Sequence, residues 1–337
     1  MRCLRSIAIC LSLTVAGSAH ALQAAATSAG PAVSAVSVSR VRFSIPTDEL
    51  NAIAFHPAGR RLYGTHRTIT PVASEVVVFD WGARTEIARI QTGWFADDIV
   101  VHPDGTRAYV ALASGIGVVD VATNTLAAVL PIVDGGYHVA IDATGAHVLA
   151  TGFLNADGVS HGYVSMIDTT TDQVVQTVEL PYPVVDAALA PDGDRAYVSA
   201  FIDGIAEIVI VDTATLTEIG RVTPAPTYEV SAVAVHPSGA ELYVSVCSPE
   251  GCFGDSGAVL VIDTTTATVR TTLPVASPSG LAVDPRGKIL LVSGDAMRSF
   301  RLGCQPTLKR TVAVGTFGSK VSIRPVSSKR RPLPPCP

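Results

Sequence analysis

The sequence predicts an all-β fold: a seven-bladed β-propeller of four-stranded antiparallel blades, its ring closed by strands from the two chain ends. Three observations predict it. An apolar, alternating segment ending in a Pro-Gly type of turn recurs seven times. Each recurrence is followed by further strand-like segments in the same order. The period is that of a four-stranded blade and too long for leucine-rich or ankyrin units. A hydrophobic content of 48% with only 16% charged residues allows a large core, and abundant Val and Thr favour strands.

The recurring segments are NAIAFHPAG, DDIVVHPDG, HVAIDATG, DAALAPDG, SAVAVHPSG, GLAVDPRG and SKVSIRPVS. Their turn markers are Pro57, Pro103, Ala143, Pro191, Pro237, Pro285 and Pro325, spaced by 46, 40, 48, 46, 48 and 40 residues. Each turn leads into a second strand, as in TRAYVAL and AELYVSV. A third strand ends in Asp, as in IGVVDVATNT and VLVIDTTTAT, and a fourth follows. The repeated Asp80, Asp120, Asp168, Asp212 and Asp263 suit Asx turns, in which the carboxylate accepts backbone N–H bonds two residues on. The seventh unit has only SKVSIRPVS, so residues 35–46 (AVSVSRVRFSIP) are expected to supply its outer strands and close the ring. A six-bladed ring with a loose tail is the alternative.

Units such as AYVALASGIGVVDVATNTLAAVLPIVDG resemble the YVTN family of β-propeller repeats over about residues 50 to 315. Two stretches, FDWGART and SGDAMRSFRL, depart from that pattern. The resemblance implies a propeller and carries no activity with it.

Residues 1–21 read as a secretory signal. Arg2 and Arg5 precede an apolar run from Ile7 to Val15, and Ala19 and Ala21 are placed for cleavage after Ala21. Residues 22–34 read as a flexible segment, 35–328 as the propeller, and 329–337 (KRRPLPPCP) as a basic, proline-rich tail. The expected location is periplasmic or secreted, without a membrane span. Four cysteines then remain, Cys247, Cys252, Cys304 and Cys336, an even number for an oxidising compartment with three possible pairings. The local pair Cys247–Cys252 is the favoured bridge, leaving Cys304–Cys336 to pin the tail. Zinc is disfavoured, because no second CxxC or HxxxH lies nearby.

In a propeller the loops leading into the innermost strands share one face with the loops between second and third strands. Aromatic and acidic residues concentrate in those leading loops, although only 6% of the chain is aromatic. Trp94, Phe95, Asp97, Asp98, Tyr137, His138, Tyr182, Asp186, Tyr228 and Glu229 are the candidate ligand-binding rim. The plainer reading is that the rings plug the channel and pack between blades. Long second-to-third-strand loops, including TITPVAS, FLNADGVSHG and CSPEGCFGDSG, would rise over the same face. His56, His102 and His236 share one repeat position and are read as structural. His66, His138 and His161 fall off that position. His138 with Asp98, Asp186 and Glu229 is the weak candidate set for acid–base work.

The formal net charge of −5 gives no electrostatic reason to expect nucleic acid. The sequence lacks CxxCH, HExxH, a P-loop and a DxDxDG run. No cofactor and no metal are therefore expected. The preferred function is a non-catalytic propeller, expected to be monomeric, that binds a protein, peptide or small ligand at its loop face. The alternative is a hydrolase or lactonase-like propeller enzyme acting at the channel mouth. A redox subunit resembling the amine-dehydrogenase propellers is fold-level analogy alone.

Overall fold

The computed structural model describes residues 50–69, 72–93, 95–133, 135–156, 159–224, 229–247, 257–294, 296–303 and 306–313. All are strands or the turns between them. Blade 1 comprises β1 (Leu50–Phe55), β2 (Arg61–Ile69), β3 (Val72–Asp80) and β4 (Thr85–Gly93). Blade 2 has β5 (Ala96–Val101), β6 (Arg107–Leu112), β7 (Gly115–Asp120) and β8 (Thr125–Leu130). Blade 3 has β9 (His138–Ile141), β10 (His147–Ala156), β11 (Val159–Asp168) and β12 (Gln173–Leu180). Blade 4 has β13 (Val184–Leu189), β14 (Arg195–Ile202), β15 (Ile205–Asp212) and β16 (Thr217–Val222). Blade 5 has β17 (Glu229–Val235), β18 (Glu241–Cys247), β19 (Gly257–Asp263) and β20 (Thr268–Pro274). Blade 6 has β21 (Gly280–Val283), β22 (Ile289–Ser293), β23 (Ala296–Arg301) and β24 (Thr307–Ala313). Within each sheet the strands pair antiparallel in chain order, and all six sheets fall in one compact unit, Val36–Pro337.

Burial explains why the segments differ in composition. The middle strands are covered on both faces and read as continuous apolar runs, as in RAYVAL of β6 and GIGVVD of β7. The outermost strands are covered on one side only, and β12 (QVVQTVEL) alternates accordingly. The core is divided between blades rather than central. One cluster joins blades 1 and 2 through Tyr63, Val78, Ile99 and Val110, and another joins blades 5 and 6 through Tyr243, Val261, Leu290 and Phe300. Each fully buried Val, Leu or Ile contributes roughly 1.5–3 kcal/mol.

The first turn of every blade is built alike. The residue before the marker accepts a backbone bond three residues on: Gly59 to His56, Gly105 to His102, Gly145 to Asp142, Gly193 to Ala190, Gly239 to His236 and Gly287 to Asp284. All six glycines have φ between 63° and 80°, the left-handed region that disfavours other residues. A Cβ on Gly105 or Gly145 would also approach within 2.5–2.6 Å of the His56 or His102 ring of the preceding blade.

The blade count corrects the sequence expectation: among the described residues there are six four-stranded sheets, not seven. The supposed seventh motif, SKVSIRPVS, has Ser327 where each of the six turns has its positive-φ glycine. It lies outside the described residues, as does the segment 35–46 that was expected to complete it. The described residues include no helix long and apolar enough to cross a membrane.

Candidate functional site

The repeated polar residues are absorbed by turns. Asp120 accepts bonds from the Thr123 N–H (2.7 Å) and hydroxyl (2.8 Å), and Asp212 from the same groups of Thr215. These exposed carboxylates are held below the usual range by the threonine bonds. Four residues beyond each such Asp the chain turns left-handed without glycine, at Arg84, Asn124, Asp172, Leu216 and Ala267. The three repeat histidines act between blades. His56 takes the Ala58 N–H on Nδ1, so its Nε2–H donates to the Gly105 carbonyl at 3.0 Å. His102 and His236 reach Gly145 and Gly287 in the same way.

A second repeat position behaves differently. Five residues before the turn marker the six blades carry Ala52, Asp98, His138, Asp186, Ala232 and Gly280. The polar three occupy consecutive blades, near the beginning of the innermost strands. His138 Nδ1 lies 3.7 Å from both Asp98 Oδ2 and Asp186 Oδ1. Both carboxylates are buried, whereas the imidazole keeps 24% of its side chain exposed. Asp98 Oδ2 also accepts the Val139 N–H (3.0 Å) of blade 3, and Asp186 Oδ2 accepts the Val233 N–H (3.0 Å) of blade 5. The two aspartates therefore tie neighbouring innermost strands together and bracket one histidine. Beta-bulges between Ala96 and Asp98, and between Val184 and Asp186, reset the register just before each carboxylate.

Directly across from this position on the second strands stand Thr65, Ala111, Thr151, Ser199, Ser245 and Ser293. Four of the hydroxyls bind their own innermost strand: Thr65 takes the Ala52 N–H, and Ser199, Ser245 and Ser293 donate to the Asp186, Ala232 and Gly280 carbonyls. Thr151, opposite His138, is the exception. Its hydroxyl is buried without a hydrogen-bond partner, and so is His138 Nδ1. This repeated position, a hydroxyl in five of six blades, is a feature that the sequence reading missed. Its signal was nevertheless present, because every member falls eight residues after a marker.

The other candidate residues scatter. Tyr137 remains near the trio, 37% exposed, with its ring stacked on Phe153 at 4.7 Å. Phe95 and Asp97 are half-buried on the loop and bulge ahead of Asp98. Tyr182 lies in the core between blades 3 and 4. Its hydroxyl donates to Glu218 (3.0 Å), and burial, reinforced by that bond, pushes the phenol up to about 12. Glu229 is exposed at the start of β17. Trp94 and Tyr228 lie outside the described residues, as do Cys252, Cys304 and Cys336; Cys247 is buried at the end of β18. His66 pairs with Glu75 at 3.1 Å, and His161 lies 2.7 Å from Glu179. Among the described residues no group of three or more His, Cys, Asp or Glu side chains has metal-binding geometry. A shallow pocket of about 430 Å³ between the turns of blades 1 and 2 is lined by His56, Arg60, Arg61 and Asp120. It sits at the opposite end of the strands from the trio.

The chain matches no protein-family model and no curated protein sequence. Among solved structures it is similar to Kuenenia stuttgartiensis hydrazine synthase, with a TM-score of 0.70 and 17% identity over 85% of this chain and 94% of that one. It is also similar to the β-propeller domain of Myceliophteria thermophila Cps50 (Swd1), with a TM-score of 0.62 and 12% identity over 82% and 90%. The fold is a β-propeller. Identities this low carry the fold and nothing further.

Proposed function

We propose that this chain is an exported propeller of YVTN-type repeats that binds a protein, peptide or small ligand where its innermost strands begin. Asp98, His138 and Asp186 are its recognition centre. The observation that carries this reading is the position of His138 Nδ1, 3.7 Å from two buried carboxylates on the flanking blades. Fixed acceptors on a rigid scaffold, beside a partly accessible ring, are what a binding site needs. Tyr137, exposed and stacked on the half-buried Phe153, supplies an apolar wall nearby.

The same trio favours a second reading, acid–base catalysis by a hydrolase. It ranks lower because both aspartates already hold backbone N–H groups of neighbouring strands. The deciding experiment follows the ring signals of His138 by NMR in the purified protein during a screen of peptides and small molecules. Turnover of ester and lactone substrates is assayed in parallel. A saturable shift without turnover supports binding; turnover abolished by His138→Ala replaces it with the enzyme reading.

Export rests on the Arg2, Arg5 and Ile7–Val15 pattern and on the buried, disulfide-bonded Cys247, for which Cys252 is the proposed partner. Mass spectrometry of the secreted form should find Leu22 at its N-terminus and no free thiol. A retained leader or four free thiols would remove this part of the proposal.

A further inference from the structure

We infer that the face where the innermost strands of blades 3 and 4 begin docks a cationic, apolar peptide segment of a partner protein. This rests on the binding reading above and names the chemistry of the partner. The apolar part stands at two repeat positions. Six residues before the turn marker, blades 3 and 4 carry Tyr137 and Val185, where the other blades carry Asn51, Asp97, Ser231 and Ser279. Ten residues after the marker they carry Phe153 and Phe201, where the others carry Arg67, Ala113, Cys247 and Asp295. A strand returns its side chains to one face every second residue. Phe153 therefore shares a sheet face with Thr151 and His138, and Phe201 with Ser199 and Asp186.

These residues stand in water rather than in the core. Val185 and Phe201 are each 40% exposed, as Tyr137 nearly is, and Phe153 is half-buried. The two blades meet closely at this level. Gly162, which pairs with Phe153, leaves only 2.8 Å between an added Cβ and Val184 Cγ1, and the Phe201 N–H donates to the Pro183 carbonyl at 3.1 Å. The four apolar side chains thus flank one blade junction. Exposed apolar patches of this kind mark interaction surfaces, and aromatic rings are enriched in them. Packed sheets lie about 10 Å apart, which three residues of an extended chain span. One peptide segment can therefore present a side chain to each blade.

Charge complementarity identifies the occupant. Between Gly135 and Val222 the sequence has twelve Asp and Glu against two bases, Arg195 and Arg221, whereas the rest of the chain has more Lys and Arg than Asp and Glu. Arg195 opens β14 at the turn end, and Arg221 is already paired with Glu207 and Glu218. Two exposed carboxylates beside the patch have no partner among the described residues. Asp203 forms the tip of the β14–β15 hairpin, two residues after Phe201, and Glu229 begins β17 on the next blade. Such a surface attracts a cationic segment and repels an anionic one, and it repels the same face of a second copy. A neutral apolar segment would leave both carboxylates without a counter-charge.

The test titrates the full purified protein into a fluorescein-labelled peptide in which lysine alternates with leucine or phenylalanine, read by anisotropy. One control peptide replaces every lysine with glutamate, and another replaces every leucine and phenylalanine with serine. The expected result is saturable binding of the first peptide, about tenfold tighter than either control and weakened by added sodium chloride. Phe201→Ser should weaken it about fivefold. Asp203→Asn, which suits the left-handed backbone at φ 50°, should weaken it about threefold with the fold intact. Val175→Ser, also in blade 3 but on its outermost strand and 57% exposed, should change nothing. Equal binding of either control would overturn the inference, as would indifference to both Phe201→Ser and Asp203→Asn. Failure of every peptide while a small molecule shifts His138 would also overturn it and leave the binding reading standing. Silence towards every peptide and every compound would remove both.

Discussion

The two ends of the innermost strands hold polar groups under different rules. At the turn end, Asp142 accepts backbone N–H bonds from Thr144, Gly145, Ala146 and His147, and His102 spends one ring nitrogen on its own turn and the other on the turn of the next blade. At the leading end, Asp98 and Asp186 also bind backbone, yet the histidine between them and the threonine across from it keep buried atoms unpaired. The first arrangement recurs because each blade needs its turn. Among the described residues the second occurs once, and the proposed binding role rests on that asymmetry within a repeated scaffold.

The largest effect that would sharpen this contrast is at the turn end. Asp142→Ala takes the side-chain acceptor from four backbone N–H groups, of which Gly145 keeps the Asp142 carbonyl and Ala146 the Thr144 hydroxyl, and should cost about 3 kcal/mol, read as a fall in the urea midpoint, with ligand response at His138 unchanged. Asp142 also makes stability depend on acid. Burial raises its carboxyl, but the Thr144, Gly145 and His147 bonds outweigh burial and hold it below the ordinary value. A depressed folded value means that its contribution is complete above the unfolded pKa of about 3.9 and lost as pH falls through the folded one. Stability measured from pH 6 down to pH 2 should therefore decline less steeply in Asp142→Asn than in the parent.

Asp98→Ala should cost less, about 2 kcal/mol, because two buried N–H groups, those of Ile99 and Val139, lose the carboxylate as acceptor. It should also abolish the His138 response, so the two ends would be separated by one pair of variants. Equal ligand loss in Asp142→Ala and Asp98→Ala would break the contrast. Gly145→Ala, forced to φ near 80° against the His102 ring, should cost about 1.5 kcal/mol by thermal melting. The smallest change runs the other way. Ala267, left-handed at φ 55°, should gain about 0.5 kcal/mol when replaced by glycine.

Much of the scaffold was legible because its rules are local. Alternation, the marker turn and the terminal Asp of the third strand in blades 1 to 5 locate the blades from Leu50 to Ala313. The blade count went astray where pattern outweighed stereochemistry: SKVSIRPVS alternates well but offers Ser327 for a glycine position. At the site, His138, Asp98 and Asp186 could be singled out as residues, but their meeting depends on neighbouring blades. Tyr182 shows the converse. A loop position suggested a rim, while Glu218 and the apolar surroundings on blade 4 draw the ring inward. Thr151 escaped notice because a threonine inside a strand is ordinary; only its missing partner distinguishes it.

The six-fold position that reads Ala, Asp, His, Asp, Ala, Gly has a consequence for how such a molecule diversifies. Each letter is one codon in one repeat, and the small residues of blades 1, 5 and 6 leave three codons uncommitted. Duplication of a blade would copy its letter into a new neighbourhood, and a point mutation would rewrite one letter without touching a turn. The side chain at this position can therefore change in blades 1, 5 and 6 while the turns stay as they are.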